Sequence, residues 1–281
     1  MTSLPRDRAF DWRNLGLRVV SGVILAAGAV WAVLAFDWKG IAWRAPFLAL
    51  VAVAGILLSL EWGKMAAPDR ARRVGWATAA AVSAVVALSL LGLYELAWAC
   101  VVVGAATSAL LAARSGARII DAAYGVLYIA PAGLALVWLR QSPQGAGWTL
   151  MLFATAWAAD IGAYMVGNLV KGPKLWPRFS PNKTWSGFVG GLAAAAAASV
   201  AIAALLMRLS LSGAALIGLA GGLATMAGDL WESMLKRRFG VKDSGDLIPG
   251  HGGLLDRVDG LMFAIVVFAL ARLIVHFGWA H

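Results

Sequence analysis

LSGAALIGLAGGLATMAGDLWESMLKRRFGVKDSGDLIPGHGGLLDRVDG, residues 211–260, begins as a membrane span and ends as a charged loop. Between Leu211 and Trp231 the only charge is Asp229. A spanning helix needs roughly 20 mostly apolar residues, because its backbone must satisfy its own hydrogen bonds in lipid. Past Trp231 the polarity inverts. At about 100° per residue, Asp229, Glu232, Ser233, Lys236 and Arg237 share one helical face, and Leu230, Trp231, Met234 and Leu235 take the other. Carboxylates are therefore expected inside the membrane edge, with cations a turn or two further out. About 17 residues without a helical pattern follow, a length that in compact proteins marks function or disorder. Asp256 and Asp259, three apart, then open the last span on one helical face.

The rest of the chain has the same apolar character. Of 281 residues, 61% are hydrophobic and 14% charged, against roughly 25% charged in soluble domains. Nine spans are expected, at about 15–36, 45–62, 74–92, 94–112, 119–139, 147–170, 185–207, 211–231 and 259–280. The third and fourth meet at Tyr94–Glu95 with almost no loop, which leaves eight as the alternative. The fold class is thus all-α, a polytopic integral membrane protein. Nine spans put all of the 24 Lys and Arg on the N-terminal side except Lys39, Arg44, Arg140, Arg208 and Arg272. Basic residues mark cytoplasmic loops, so the N-terminus is expected in the cytoplasm, and eight spans would scramble this asymmetry. The net charge of +10 is then a matter of topology, and no nucleic-acid partner is implied. Trp43, Trp62, Trp76, Trp148 and Trp185 fall near span ends, where the headgroup layer suits an indole. Cys100, the single cysteine, reads as a small buried hydrophobe. The basic N-terminus and long first apolar run read as an uncleaved span.

Two regions follow: a scaffold of about five spans over 1–140, and a catalytic membrane region over 141–281 with cytoplasmic loops 171–184 and 236–258. The chemistry collects after residue 150. Asp160 lies mid-span, where an ionised carboxylate costs roughly 2.5–3.5 kcal/mol and needs a polar cavity or a partner; a structural partner is the competing reading. The loop KGPKLWPRFSPNKTWSG, residues 171–187, places four cations within 13 residues beside Ser180, Asn182 and Thr184. Lys183 and its neighbours suit phosphate, although cytoplasmic loops are basic anyway. Either Ser180 or Thr184 is expected to cap the next helix. In the C-terminal segment, Asp229 and Asp256 suit Mg²⁺, which takes one or two carboxylates and leaves the rest of its shell to water and phosphates. Lys236, Arg237, Lys242 and Arg257 suit a polyphosphate and the charge on a leaving group. Gly250, Gly252 and Gly253 allow close approach of backbone to phosphate, and His251 suits a donor, acid or base.

Ser233, Lys236, Arg237, Lys242, Asp243, Gly245, Leu247, Ile248, Pro249, His251, Gly252, Gly253, Asp256, Arg257 and Asp259 together resemble the 27-residue signature of the phosphatidate cytidylyltransferases (CDP-diacylglycerol synthases). The Gly-Asp-Leu-x-Glu-Ser run, the Ser-Pro-Asn-Lys-Thr-Trp loop and the residues around Asp160 are also similar to that family, so the resemblance covers about 150–275. It implies transfer of CMP from CTP to phosphatidic acid with release of pyrophosphate, dependence on Mg²⁺ with K⁺ as a candidate second ion, a homodimer among membrane lipids, and a bacterial-type inner-membrane site facing the cytoplasm. By the same resemblance Asp229, Asp256, Lys236, Arg237, His251 and Asp259 are catalytic. Ser180, Asn182, Lys183, Thr184, Ser233, Lys242, Asp243, Gly252, Gly253, Arg257 and Asp160 bind substrate, and Asp229 and Asp256 hold the metal. The chain departs from the family at Ser186, where Glu is common, so no carboxylate role is carried to that position. Two rivals stand beside this reading: a CTP-dependent polyprenol- or phytol-type lipid kinase, and an ion-coupled transporter using Asp160 and Asp229. Asn at 229 or 256 is expected to abolish turnover at near-normal stability.

Overall fold

An apolar run of 20 or more residues in lipid has one economical way to bond its backbone, and this chain takes it repeatedly. The structure, a computed structural model, describes residues 12–35, 41–177, 180–245, 247 and 252–278. Among them are nine α-helices: α1 (Trp12–Ala35), α2 (Ile41–Ala66), α3 (Ala71–Leu90), α4 (Tyr94–Ser115), α5 (Ile119–Gln141), α6 (Gly145–Val170), α7 (Trp185–Leu206), α8 (Leu211–Arg238) and α9 (Leu255–Gly278). Eight are long and apolar enough to cross a membrane, and α1 adds a shorter apolar stretch at Val20–Ala35. The protein is a polytopic all-α membrane protein.

The ambiguous third and fourth spans are two helices. Gly92 adopts φ 73°, Leu93 N donates to Leu88 O at 3.0 Å and Gly92 N to Ser89 O at 3.2 Å. This paired closure around a left-handed glycine ends α3 within three residues of the start of α4.

Three expectations change. The basic loop after α6 is not irregular: β1 (Lys174–Trp176) pairs antiparallel with β2 (Ser180–Thr184), Lys174 opposite Thr184 and Trp176 opposite Ser180. Trp76 and Trp185 are exposed as headgroup anchors should be, but Trp62 and Trp148 are buried. Trp62 Nε1 donates to Asp121 O at 2.9 Å, and its ring is enclosed by Tyr124, Tyr128 and Phe239, while Arg272 lies over the Trp148 ring. The Trp43 side chain lies outside the described residues. Finally, α9 starts at Leu255, earlier than the expected 259, so both Asp256 and Asp259 belong to its first turns.

One hydrophobic cluster runs from Ala32 and Phe47 through Val126 and Ile129 to Met262 and Phe268, so both halves of the chain share a core. The inner helix α5 packs on α2, α3, α4 and α9. That places the ends of α2 and α5 beside the polar ends of α8 and α9.

Candidate active site

The last two turns of α8 carry the polar face that the helical spacing predicts. After Arg238 the chain turns at Gly240 (φ 73°), with Val241 N donating to Lys236 O at 3.0 Å, and leads into the loop before α9. Lys236 points between two acids: its Nζ lies 2.8 Å from Glu232 Oε2 and 2.6 Å from Asp256 Oδ1. Asp256 Oδ2 accepts three further bonds, from Ser244 N, Ser244 Oγ and Gly253 N, each at 3.0 Å. Asp256 thus ties α8, the loop and the first turn of α9 together. A second carboxylate secures the same loop from outside the C-terminal half: Glu61 of α2 accepts from Leu254 N at 2.8 Å and Leu255 N at 2.7 Å.

Beside this knot lies a cavity of about 1200 Å³, somewhat above the roughly 300–1,000 Å³ usual for ligand sites. Its polar end is built by four elements. From α6 comes Asp160; from β2 come Asn182, Lys183 and Thr184; from α8 come Asp229, Glu232 and Lys236; from α9 come Asp256, Arg257 and Asp259, with Asp243 on the loop between. Asp229 and Asp256, the two residues on which the sequence reading depends, face one cavity. Lys183 is ion-paired with Asp229. Thr184 Oγ1 accepts from Gly187 N at 3.1 Å, so Thr184 rather than Ser180 caps α7 and fixes the strand that carries Lys183. Away from this end the walls are apolar, formed by α1, α2, α5 and α6 through residues such as Val23, Leu50, Ile129 and Trp157.

Of the other expected site residues, Ser180, Ser233, Arg237, Lys242, Gly252 and Gly253 stand outside the described cavity lining. Arg237 and Lys242 are exposed. Gly252 and Gly253 serve the loop itself: a Cβ at Gly253 would sit 3.0 Å from Glu61 Oε2 and 2.9 Å from Gly245 N, and one at Gly252 would sit 3.2 Å from Asp256 Oδ2. His251, like Gly250, lies outside the described residues. Ser186, at the departure from the family pattern, donates to Lys171 O and so closes the base of the hairpin. Three contributors escaped the sequence reading of the site: Glu61, Ser244 and Glu232. Glu232 shares the predicted polar face, so its spacing from Lys236 (i, i+4) was the available signal.

The donor set fits a hard divalent cation. Six carboxylates (Asp160, Asp229, Glu232, Asp243, Asp256 and Asp259) face three cations (Lys183, Lys236 and Arg257) around the cavity. Glu232 is 1% exposed, yet its Oε1 meets no hydrogen-bond donor among the described residues. Among those residues no three His, Cys, Asp or Glu side chains converge as a complete metal cage. Mg²⁺ does not require one, since it keeps water and takes substrate phosphates.

Comparison with known proteins places nearly the whole chain in a family. The profile of the cytidylyltransferase family matches residues 16–275. A phosphatidate cytidylyltransferase of Brucella suis biovar 1 (strain 1330) is 36% identical over 261 residues, covering 92% of this chain and 93% of the relative. Two others match the more strongly similar part: that of Pseudomonas aeruginosa PAO1 is 42% identical over 161 residues (55% of this chain, 57% of the relative), and that of Staphylococcus aureus (strain COL) 39% over 148 residues (52% and 56%).

Proposed function

The chain belongs to the cytidylyltransferase family, and we propose from this membership and from its cavity how it acts: it is a phosphatidate cytidylyltransferase that moves CMP from CTP to phosphatidic acid. The observation that carries the reading is a single cavity with two chemistries. One end gathers Lys183, Lys236 and Arg257 among carboxylates, while the rest of its lining is mostly apolar and includes residues of α1, α2, α5 and α6. A nucleotide and a lipid headgroup require such a junction; a soluble substrate pair does not.

In the reaction, a phosphate oxygen of phosphatidic acid attacks the α-phosphorus of CTP. A new P–O bond forms, the bond to the β-phosphate breaks, and pyrophosphate leaves with its electron pair. The nucleophile is already an anion, so a general base is not needed, and the task is to bring anions together and hold them in line. Lys183, carried on β2, and Arg257, at the start of α9, line the polar end of the cavity, where phosphates would bind. Lys236 sits one turn beyond Glu232 and suits the charge that builds on the leaving pyrophosphate. Mg²⁺, with Asp229 and Asp256 as its ligands and K⁺ as a candidate second ion, would neutralise the triphosphate and the leaving group when bound. The carboxylates of Asp160 and Asp259 line the same space and match that charge.

The reading includes orientation. Lys171, Lys174, Lys183, Lys236, Arg237 and Arg238 cluster near the cavity end of the helices, which supports a cytoplasm-facing site in a bacterial inner membrane and a cytoplasmic N-terminus. It also includes a homodimer in the membrane plane, testable by cross-linking in nanodiscs. The deciding experiment incubates purified protein with CTP and phosphatidic acid and identifies products by mass. CDP-diacylglycerol and pyrophosphate are expected; CDP with a newly phosphorylated lipid would make the protein a lipid kinase instead.

A further inference from the structure

Glu61 belongs to α2, in the half of the chain that the sequence marks as scaffold, yet it is 4% exposed and bonds to residues of the loop before α9 and the start of that helix, 183 to 194 positions away along the chain. Both its oxygens are committed. Oε1 accepts from Leu254 N at 2.8 Å and Oε2 from Leu255 N at 2.7 Å, amides at the start of α9 that have no acceptor within the helix. Ser244 Oγ lies 3.4 Å from Glu61 Oε2 and 3.0 Å from Asp256 Oδ2. One hydroxyl proton is therefore shared between two carboxylates, closer to Asp256, and joins Glu61 to the residue that holds Lys236. The loop is shaped to let Glu61 in: a Cβ at Gly245 would come within 3.2 Å of Oε1, and one at Gly253 within 3.0 Å of Oε2. Glu61 itself does not line the cavity.

We propose that Glu61 is a positioning residue for cytidylyl transfer: its carboxylate fixes the first turn of α9 and, through Ser244, sets the orientation of Asp256 and Lys236 at the cavity. The proposal rests on the cytidylyltransferase reading of that site. A Gln at 61 keeps one acceptor oxygen but presents an NH₂ group to one of the two helix amides, so one clamp point becomes a donor facing a donor. An Asp keeps the charge and shortens the reach by one methylene.

The test uses the full chain in nanodiscs with Glu61→Gln, Glu61→Asp and, as an exposed control on α4, Glu95→Gln. A misplacement of about 1 Å costs up to about 100-fold, so Glu61→Gln should lower kcat per folded molecule by about tenfold to 100-fold. The half-saturating phosphatidate concentration should stay at the wild-type value, because the apolar walls are untouched. Glu61→Asp should fall between, and Glu95→Gln should match wild type. Hydrogen exchange should quicken in peptides spanning 241–258 and stay unchanged in α4. Wild-type kcat per folded molecule with wild-type exchange in Glu61→Gln overturns the proposal, as does a loss of folded protein with kcat per folded molecule intact. If Glu61→Gln does not fold, Ser244→Ala decides: it keeps both Glu61 bonds to the helix amides and removes the hydroxyl that lies between Glu61 and Asp256, so an unchanged kcat overturns the proposal. A wild-type protein that makes no CDP-lipid would sink the reading of the site, while the exchange measurement would still judge the clamp.

Discussion

Asn at 256 and Asn at 229 should both silence the enzyme, but only the first should unfold it more easily. The Asp256 side chain is 6% exposed and takes hydrogen bonds from Lys236, Ser244 and Gly253. Asn offers one acceptor oxygen in place of two, and its NH₂ must face either the Lys236 ammonium or the amides of Ser244 and Gly253. Two charge-assisted bonds at about 1.5–3 kcal/mol each are lost, consistent with the roughly 3–5 kcal/mol cost of breaking a buried pair. At about 2–4 °C per kcal/mol for a chain of this size class, the melting temperature should drop by about 6–20 °C. Asp229, by contrast, is 36% exposed and pairs with a partly exposed Lys183. Such a pair contributes about 0–1 kcal/mol, so Asp229→Asn should melt within about 4 °C of wild type. The sequence alone predicts near-normal stability for both; the burial of Asp256 separates them. Turnover should fall at least about 100-fold in each. Thermal unfolding followed by size exclusion, with CTP- and phosphatidate-dependent pyrophosphate release, measures both quantities. Equal melting temperatures for the two variants, or full activity in either, would refute the reasoning.

Thr184→Ala removes the α7 cap and should cost about 1 kcal/mol in a thermal scan, with a rise in the half-saturating CTP concentration because Lys183 precedes the cap. Gly253→Ala forces a methyl against Glu61 and Gly245, so it should cost about 1–3 kcal/mol in thermal unfolding and lower turnover by displacing the Asp256 loop. Chelation with EDTA should abolish CTP turnover and added Mg²⁺ restore it, since six carboxylates face three cations where a polyphosphate must bind; turnover that persists in EDTA would show that the acids act without a divalent ion.

Hydrophobic runs carried most of the architecture, because a span has to be apolar along its whole length and the signal is therefore local. Edges were less legible for a physical reason. A hydropathy window stops at charge, whereas helix geometry does not, so α9 begins at Leu255 and takes Asp256 and Asp259 into its first turns. The hairpin is hidden because strands of three and five residues, the first followed by Pro177 and the second containing Pro181, show no alternation to read. In the site, helical spacing puts Asp229, Glu232 and Lys236 on one face and all three line the cavity, whereas Arg237 and Lys242 are exposed and stand outside the described lining, because charge alone carries no direction. Glu61 resisted for the opposite reason. An acid at the end of an apolar run reads as an ordinary interfacial charge, and its partners lie 183 to 194 positions away along the chain.

Those distant partners bear on why a site written in the C-terminal half needs the N-terminal half at all. Helices in lipid gain little from mutual hydrophobic burial, since the surrounding tails are equally apolar, so their packing and polar contacts must set the register of their ends. Here the ends of α8 and α9 are gripped from α2 and α5. Arg238 Nη2 donates to Asp121 Oδ1 at 2.6 Å, Trp231 Nε1 to Tyr124 Oη at 2.8 Å, and Trp62 braces Asp121 through its backbone oxygen. Glu61, the residue before Trp62, holds the start of α9. The cavity acids thus depend on four neighbouring contacts made by two adjacent residues of α2 and two of α5. Asp229 and Asp256 keep a common orientation only while α8 and α9 cannot slide past one another, and it is these clasps at the membrane edge, rather than the apolar faces below them, that have the directionality to prevent it.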